Sequence, residues 1–420
     1  MTATDRPLAP RSPDASDPER PAREAPSWHG FDLSRRDTPI YADPFPAIHR
    51  LRAVAPVHET PIGSWRLSRH ADCVRLLREL RVGVRRRDGS LPRRSEAQGP
   101  GEFMLQQDPP SHTRLRKLVS RAFTPRAVES WRPRVRAIVA EQLDQAFEGG
   151  GIDVIADLAL PVPATLICEL LGVPVADRDR FTVWTADATH GLLGDQAAPE
   201  IQQRAIAAAT ALAGYFSELI EDRRRHLTDD LLSVLIRAEE EGDRLTQTEL
   251  VVQSIGLLIA GFETTIGLIG NGAAAFARHP EAGHALRERP ELVSNAVEEC
   301  LRFDGPIGMT PRVLHEDAEI GGRSIPADSE VFAILWGANR DPEVFAEPDR
   351  FDVARPNARL HLAFGGGTHL CLGAHLARME AQEALGALVL RASQLELEDD
   401  RIEWGPSLFR VPARLPLRLR

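Results

Sequence analysis

From residue 111 to residue 300 the sequence keeps a helical period almost without interruption, and that run limits the fold more than any other feature. Punctuation falls at Pro125, at "EGGG" (148–151), at "GVP" (172–174) and at "LGD" (193–195), so the run divides into successive helices. The flanks read differently. "PVHET" and "SWRLS" on either side of "PIG" predict a short hairpin, and a helix is expected over residues 71–80. Further on, "AEIGGRSIPADSEVFAILW" and "PARLPLRLR" look like short strands with turns. There is no internal repeat and no strand–helix alternation that would build a parallel sheet. The expected fold is mainly α with a small β-rich region.

Composition narrows the class. The chain has 420 residues, 43% apolar and 27% charged, enough to bury the core of two or three ordinary domains or of one large one. A net charge of −10 argues against general nucleic-acid binding, where a basic face would supply the affinity. The four cysteines (Cys73, Cys168, Cys300 and Cys371) are far apart and form no CxxC, which points to a reducing cytoplasm. No stretch approaches the roughly 20 uninterrupted apolar residues of a membrane helix, so no membrane contact is expected. Residues 1–27, rich in Pro, Arg, Asp and Ala, lack a signal-peptide core and read as disordered. Residues 83–107 carry Arg85, Arg86, Arg87, Arg93 and Arg94 with little periodicity, and a loop of that length is functional or disordered.

The chemistry concentrates in "FGGGTHLCLG", residues 364–373. Glycine lets backbone pass close to a bulky group without Cβ clashes. Cys371 stands just before "GAHLARMEAQEALGALVL", and the free N–H groups of a helix start favour a thiolate. A soft anionic ligand on tight backbone suits a haem iron. A buried structural cysteine is an equal reading of these residues alone. His369, Cys371 and His375 also permit a zinc reading, with only three ligands in view.

Together these residues resemble the cytochrome P450 family. Its haem-binding signature is matched by Phe364, Gly365, Gly367, His369, Cys371 and Gly373, and the match continues into Leu376, Ala377 and Arg378. The resemblance implies a single P450 domain over residues 28–420. Haem b would lie between a long distal helix and the proximal cysteine loop, with Cys371 as the iron ligand. Three further segments carry it. In "VEECLRF", Glu299 and Arg302 match the family's Glu-x-x-Arg pair, expected to be joined by Arg350 of "PDRF" as a structural lock. In "DPPSHTRLRKLVSRAFTPR", His112 and Arg116 match propionate ligands, joined by Arg312 and His369. In "AGFETT", Glu263 and Thr264 match the acid–alcohol pair that relays protons.

That last segment lies in a helix which Thr246 and Glu249 would open with a capping box and which ends near His279. Glycines at 256, 261, 267, 270 and 272 cost about 1 kcal/mol each relative to Ala within a helix. The resemblance has Gly261 admit oxygen beside a local widening of the helix, and close packing accounts for most of the later glycines.

The function implied is a monooxygenase that puts one oxygen atom from O2 into a hydrophobic small molecule (a terpenoid, polyketide or macrolide, fatty acid or drug-like compound). Substrate contacts are expected from Ile259, Ala260, Ile307, Gly308, Leu408 and Phe409. Electrons would come from a ferredoxin and its reductase, drawn to the basic residues Arg114, Lys117, Arg121 and Arg126 of a monomeric, cytoplasmic protein. The alternatives are a peroxide-driven haem-thiolate peroxygenase, against which Glu263 and Thr264 speak, and a non-enzymatic haem sensor.

Overall fold

The structure, a computed structural model, describes residues 42–92, 103–192, 198–240, 243–405 and 407–420. Residues 1–27, Arg93, Arg94 and the "LGD" break lie outside the described residues.

Helix α1 (Phe45–Val54) leads into strands β1 (Val57–Glu59) and β2 (Trp65–Leu67), which pair antiparallel with Val57 opposite Leu67. Helix α2 (His70–Arg78) and the two-residue β3 (Val82–Gly83) follow. The long helical stretch contains α3 (Ser111–Ser120), α4 (Arg132–Gly149), α5 (Pro161–Leu170), α6 (Arg178–His190) and α7 (Pro199–Arg225). It continues with α8 (Leu231–Arg237), α9 (Gln247–Arg278), α10 (Pro280–Glu288) and α11 (Val293–Asp304). Proline in the first turn of α4, α5, α7 and α10 starts helices where its missing N–H costs nothing. Gly150, at φ +72°, ends α4 in the left-handed region.

Three short strands interrupt the expected helical run. β4 (Gly151–Asp153) occupies the "EGGG" break, and β5 (Glu239–Glu240) pairs with β6 (Asp243–Arg244). The partner of β4 lies more than 260 residues away in the chain, so no local period could reveal it.

The C-terminal part supplies β7 (Met309–Leu314), the hairpin β8 (Ala318–Ile320) and β9 (Arg323–Ile325), and β10 (Glu330–Ile334). Helix α12 (Ala374–Arg391), β11 (Leu395–Leu397) and β12 (Pro416–Leu419) close the chain. The larger sheet runs β1-β2-β10-β7-β3, parallel only between β2 and β10; β11-β12-β4 form a second sheet.

Helix α9 is the axis of the molecule. The capping box is present: the Glu249 N–H donates to the Thr246 hydroxyl, and the Thr246 N–H to the Glu249 carboxylate. From Thr265 to Phe276 every residue is buried, as in a helix apolar on all sides that lies inside a protein. By length and composition α9 is sufficient to cross a membrane, which the sequence reading did not anticipate. Its most apolar 18-residue window is 56% buried within the fold.

Its glycines divide as the packing does. A Cβ on Gly267 would strike Pro306, one on Gly270 would strike Ile155, and one on Gly272 would strike Leu385. Gly256 is closed in the same way by the Phe103 ring. Gly261 alone in α9 is exposed and has nothing within 4 Å of where a Cβ would stand.

Candidate functional site

The cysteine loop begins with Gly365 at φ +70° and Gly367 at φ +66°, both in the left-handed region. A single 3-10 turn (Gly367–His369) follows, and the Cys371 N–H donates back to the Phe364 carbonyl at 3.0 Å. The glycines do more than clear space for a flat ligand. A Cβ on Gly367 would run into the Leu77 carbonyl, and one on Gly366 would press on Arg78, so these two seat the loop on the end of α2. Gly365 is the one whose missing side chain faces open space, with only the His369 carbonyl, at 3.9 Å, within reach.

Cys371 is exposed while Cys73, Cys168 and Cys300 are buried. It is also set deep enough in the molecule for desolvation to push its thiol pKa up, against the Gly373 N–H, Arg116 and Arg378, which favour the thiolate. Its sulfur is thus both accessible and partly desolvated.

Basic groups gather beside the loop. His112, on α3, is 1% exposed, and neither ring nitrogen has a hydrogen-bond partner. Its ring lies 4.2 Å from that of His369, whose nitrogens are likewise without one. Asp108 stands 3.9 Å from His369 Nε2, near enough for attraction between charges but too far for a hydrogen bond. Burial, then the neighbouring His369 and Arg116, drive His112 down to about 4; burial likewise lowers His369.

Arg312, on β7, is 5% exposed, and burial lowers its guanidinium to about 10. It donates only to the Thr310 hydroxyl (3.2 Å) and the Pro311 carbonyl (2.6 Å), and among the described residues it has no carboxylate partner. Arg116, half-buried one turn after His112, donates to the Leu370 carbonyl at 2.7 Å. Buried donors and a buried cation left without an anion are costly in a folded chain. The cluster therefore fits an anionic ligand.

On the distal side, α9 stays α-helical throughout, so the local widening implied by the resemblance is not there. The Thr264 hydroxyl donates to the Ala260 carbonyl (2.8 Å) and the Thr265 hydroxyl to that of Gly261 (2.9 Å), a local satisfaction that holds the helix regular. Glu263 is half-buried beside Thr264.

Ile259, Ala260, Ile307 and Phe409 are half-buried. Gly308, also half-buried, backs onto the Trp336 ring, where a Cβ would not fit; its missing side chain serves packing. Leu408 is 48% exposed.

The Glu-x-x-Arg pair is fully enclosed. Arg302 donates from Nε and a terminal nitrogen to Glu299 at 2.6 and 2.7 Å, and to the carbonyls of Asn339, Pro348 and Arg350. Its third member is Arg355, which reaches Glu299 Oε1 at 3.1 Å. Arg350 was the expected partner, but its side chain lies in solvent beside Glu347 and only its backbone carbonyl joins the lock.

A second buried network had no signal in the sequence beyond the motif residue Arg378. Glu298 takes two hydrogen bonds from Arg378 (2.7 and 2.9 Å) and lies 2.9 Å from His361 Nε2. The Arg378 guanidinium in turn lies 4.5 Å over the Phe364 ring, so this network fixes the start of the cysteine loop. Burial alone would raise the Glu298 carboxyl, yet the bonds from His361 and Arg378 hold it at about 2. Among the described residues no group of three or more His, Cys, Asp and Glu is arranged to hold a metal ion, so the zinc reading finds no support.

Residues 76–404 match the family description "Cytochrome P450". The chain is 41% identical over 401 residues to the cytochrome P450 monooxygenase PikC of Streptomyces venezuelae, covering 93% of this chain and 94% of that one. It is 40% identical to a vitamin D(3) 25-hydroxylase of Pseudonocardia autotrophica, over 90% of this chain and 94% of the relative. Among solved structures, P450BioI in complex with an acyl carrier protein ligated to hexadec-9Z-enoic acid superposes with a TM-score of 0.83. That match is 36% identical and covers 91% of this chain and 99% of the other. The chain belongs to the cytochrome P450 family, of the bacterial type. It is accordingly a cytochrome P450 monooxygenase, and the family's cofactor is haem b held through a cysteine thiolate.

Proposed function

We propose that Cys371 is the thiolate that holds the haem iron, that His112, Arg116, Arg312 and His369 hold the two propionates, and that Glu263 and Thr264 manage protons on the opposite face. The observation that carries this is the pairing of unsatisfied buried basic groups, His112, His369 and Arg312, with an accessible sulfur deep in the fold. Arg suits the role because its planar fork meets a carboxylate on two atoms. Haem, when bound, supplies the activation of O2, and its thiolate ligand favours O–O cleavage.

The chain's own residues do the rest. The Glu298–Arg378–Phe364 network and the seat of Gly366 and Gly367 on α2 fix the sulfur in place. Thr264 Oγ1 holds a proton at the edge of the space left by Gly261, now turned to the Ala260 carbonyl. Glu263, one residue earlier, is the ionisable group placed to resupply it. Ile259, Ala260, Ile307 and Phe409 offer an apolar lining that orients a substrate by burial rather than by hydrogen bonds.

The substrate is a hydrophobic small molecule of the terpenoid, macrolide, fatty-acid or drug-like kind, a range in keeping with relatives named for vitamin D(3) and polyketide chemistry. A ferredoxin supplies the electrons. Its docking face needs revision, because Arg114 is bound to Asp243 and Glu249 and so ties α3 to the start of α9. Arg126, exposed and without a salt bridge among the described residues, remains on that face.

The test is a CO difference spectrum on the reduced protein. The parent and Cys300→Ser should give the thiolate-type band, and Cys371→Ser should lose it. A retained band in Cys371→Ser would end this assignment. Thr264→Ala should still consume reducing equivalents but shift their yield from product to hydrogen peroxide. Equal coupling would leave Thr264 as a helix-satisfying residue and favour the peroxide-driven alternative.

A further inference from the structure

Next to the propionate-type cluster, on the far side of Asp108, lies a second cationic feature. A cleft of about 530 Å³ is lined by Arg81, Arg85, Arg86, Arg87, Gly89, Asp108 and His315. Residues 83–107 are expected to help line the substrate pocket, but Ile259, Ala260, Ile307, Gly308, Leu408 and Phe409 are all absent from this cleft. In a chain of net charge −10, four arginines around one cleft require a reason.

The rim is built rather than loose. Asp108 accepts the backbone N–H of Val84 (2.9 Å) and of Arg85 (3.0 Å). Arg85 donates through Nε to the Gln106 carbonyl (2.7 Å) and through a terminal nitrogen to the Gly89 carbonyl (2.9 Å). Arg87 is clamped to Asp328 by its backbone N–H and its guanidinium. His315 Nε2 lies 3.0 Å from the Arg85 carbonyl, and the His315 N–H donates to the Arg81 carbonyl. A Cβ on Gly83 would strike both Asp108 and His315, so glycine there lets the floor close tightly.

Two arginines are left over by this scaffold. Among the described residues neither Arg81 nor Arg86 has a carboxylate partner; Arg86 reaches only the Asp328 carbonyl, at 3.2 Å. Elsewhere, half-exposed arginines such as Arg134, Arg136 and Arg204 are taken up by a carboxylate. Asp108 faces the cleft but is already engaged by two N–H groups and by the attraction of His369. What remains is a preformed concave surface with several N–H forks and a surplus of positive charge. Such a surface recognises a doubly charged oxyanion better than a single carboxylate, because the forks meet oxygens on more than one side.

We propose that this cleft is a phosphate-class anion site, separate from the substrate pocket, with Arg81 and Arg86 as its uncommitted binding residues. A free phosphate ion and the monoester group of a larger molecule share this chemistry of recognition.

Calorimetric titration of the full-length protein at constant ionic strength tests it, with inorganic phosphate and phenyl phosphate as probes and chloride as the reference salt. Saturable binding of phosphate is expected. Each of Arg81→Gln and Arg86→Gln should weaken it by about tenfold or more, the loss of one charge-assisted contact. Arg50→Gln, which removes the same charge from exposed α1 outside the cleft, should leave affinity unchanged. Tighter binding of phenyl phosphate would assign the site to an ester, and binding of inorganic phosphate alone would assign it to the free ion. No saturable binding of either probe, or equal weakening by Arg50→Gln, overturns the proposal.

Discussion

Two buried cationic clusters lie within this fold, and they are built on opposite rules. Around Arg302, the chain supplies everything: Glu299 takes two of its N–H groups, and the carbonyls of Asn339, Pro348 and Arg350 take the rest. Around Arg312 it supplies almost nothing. One terminal nitrogen has two acceptors, and among the described residues no carboxylate partner is found and the rings of the adjacent His112 and His369 have no hydrogen-bond partner. A buried charge that the chain satisfies holds structure together, and one that it leaves unsatisfied stores affinity for something else. The electrostatics agree, since burial lowers Arg312 to about 10 with only the distant Asp108 opposing the effect.

Removing one partner of the satisfied cluster should have the largest effect. Arg302→Ala strips buried Glu299 of its two-pronged partner and leaves it only the single contact from Arg355 and the Asp352 N–H, at a cost of about 3–5 kcal/mol, and soluble yield and thermal unfolding should show an unfolded or barely folded protein. Arg355→Gln should cost less, because Glu299 keeps Arg302. Arg350→Gln should stay within about 0.5 kcal/mol, because its side chain is in solvent. A large loss at Arg350 would restore the role that the motif had suggested for it.

Arg312→Leu should separate the two clusters most clearly. Haem-free protein should be as stable as the parent or more so, since a desolvated charge is removed. Haem retention, read from Soret absorbance against a haem acceptor, should fall roughly ten- to a hundredfold. A variant that destabilises the haem-free protein as Arg302→Ala does would erase the distinction.

A smaller effect is expected from acid. The Glu298 carboxyl sits at about 2 in the fold against an ordinary 4.5, so its contribution is present above pH 4.5 and is lost as pH falls toward 2. That contribution is on the order of 3 kcal/mol. Unfolding followed across this window should be steeper in the parent than in Glu298→Gln.

An effect of similar size and opposite sign is expected at Glu380, buried without a hydrogen-bond partner for Oε2 among the described residues and pushed up to about 8 by burial. A raised carboxyl lowers stability as pH rises from its ordinary 4.5 toward 8. Glu380→Gln should therefore gain roughly 3 kcal/mol relative to the parent between pH 5 and pH 8, measured by denaturant midpoints. No change in relative stability over that range would place a compensating partner beside it.

Much of the site was legible before any coordinates because its signals are local. The capping box of α9, the i, i+4 pair His112 and Arg116, and the glycine-flanked Cys371 are all spacing rules that a chain writes within a few residues. The misassignments share one cause. Arg350 and Arg355 are five residues apart, and only the path of the loop decides which guanidinium turns inward to Glu299. The place of Gly308 and Gly367 in the sequence points to a ligand, whereas what presses on them, Trp336 and the Leu77 carbonyl, comes from distant segments.

The sequence by itself determined a mainly α chain, the helix that crosses it and the residue types of a haem-thiolate site, because helical period, caps and motif spacing are properties of neighbours. Tertiary structure alone decided which basic groups would be satisfied and which left open. It set β4 against β12, placed Glu298 beneath Arg378 and gathered the arginines of residues 81–87 around one cleft. Those outcomes depend on burial and on which distant groups come within hydrogen-bond reach, and no window of sequence carries that information.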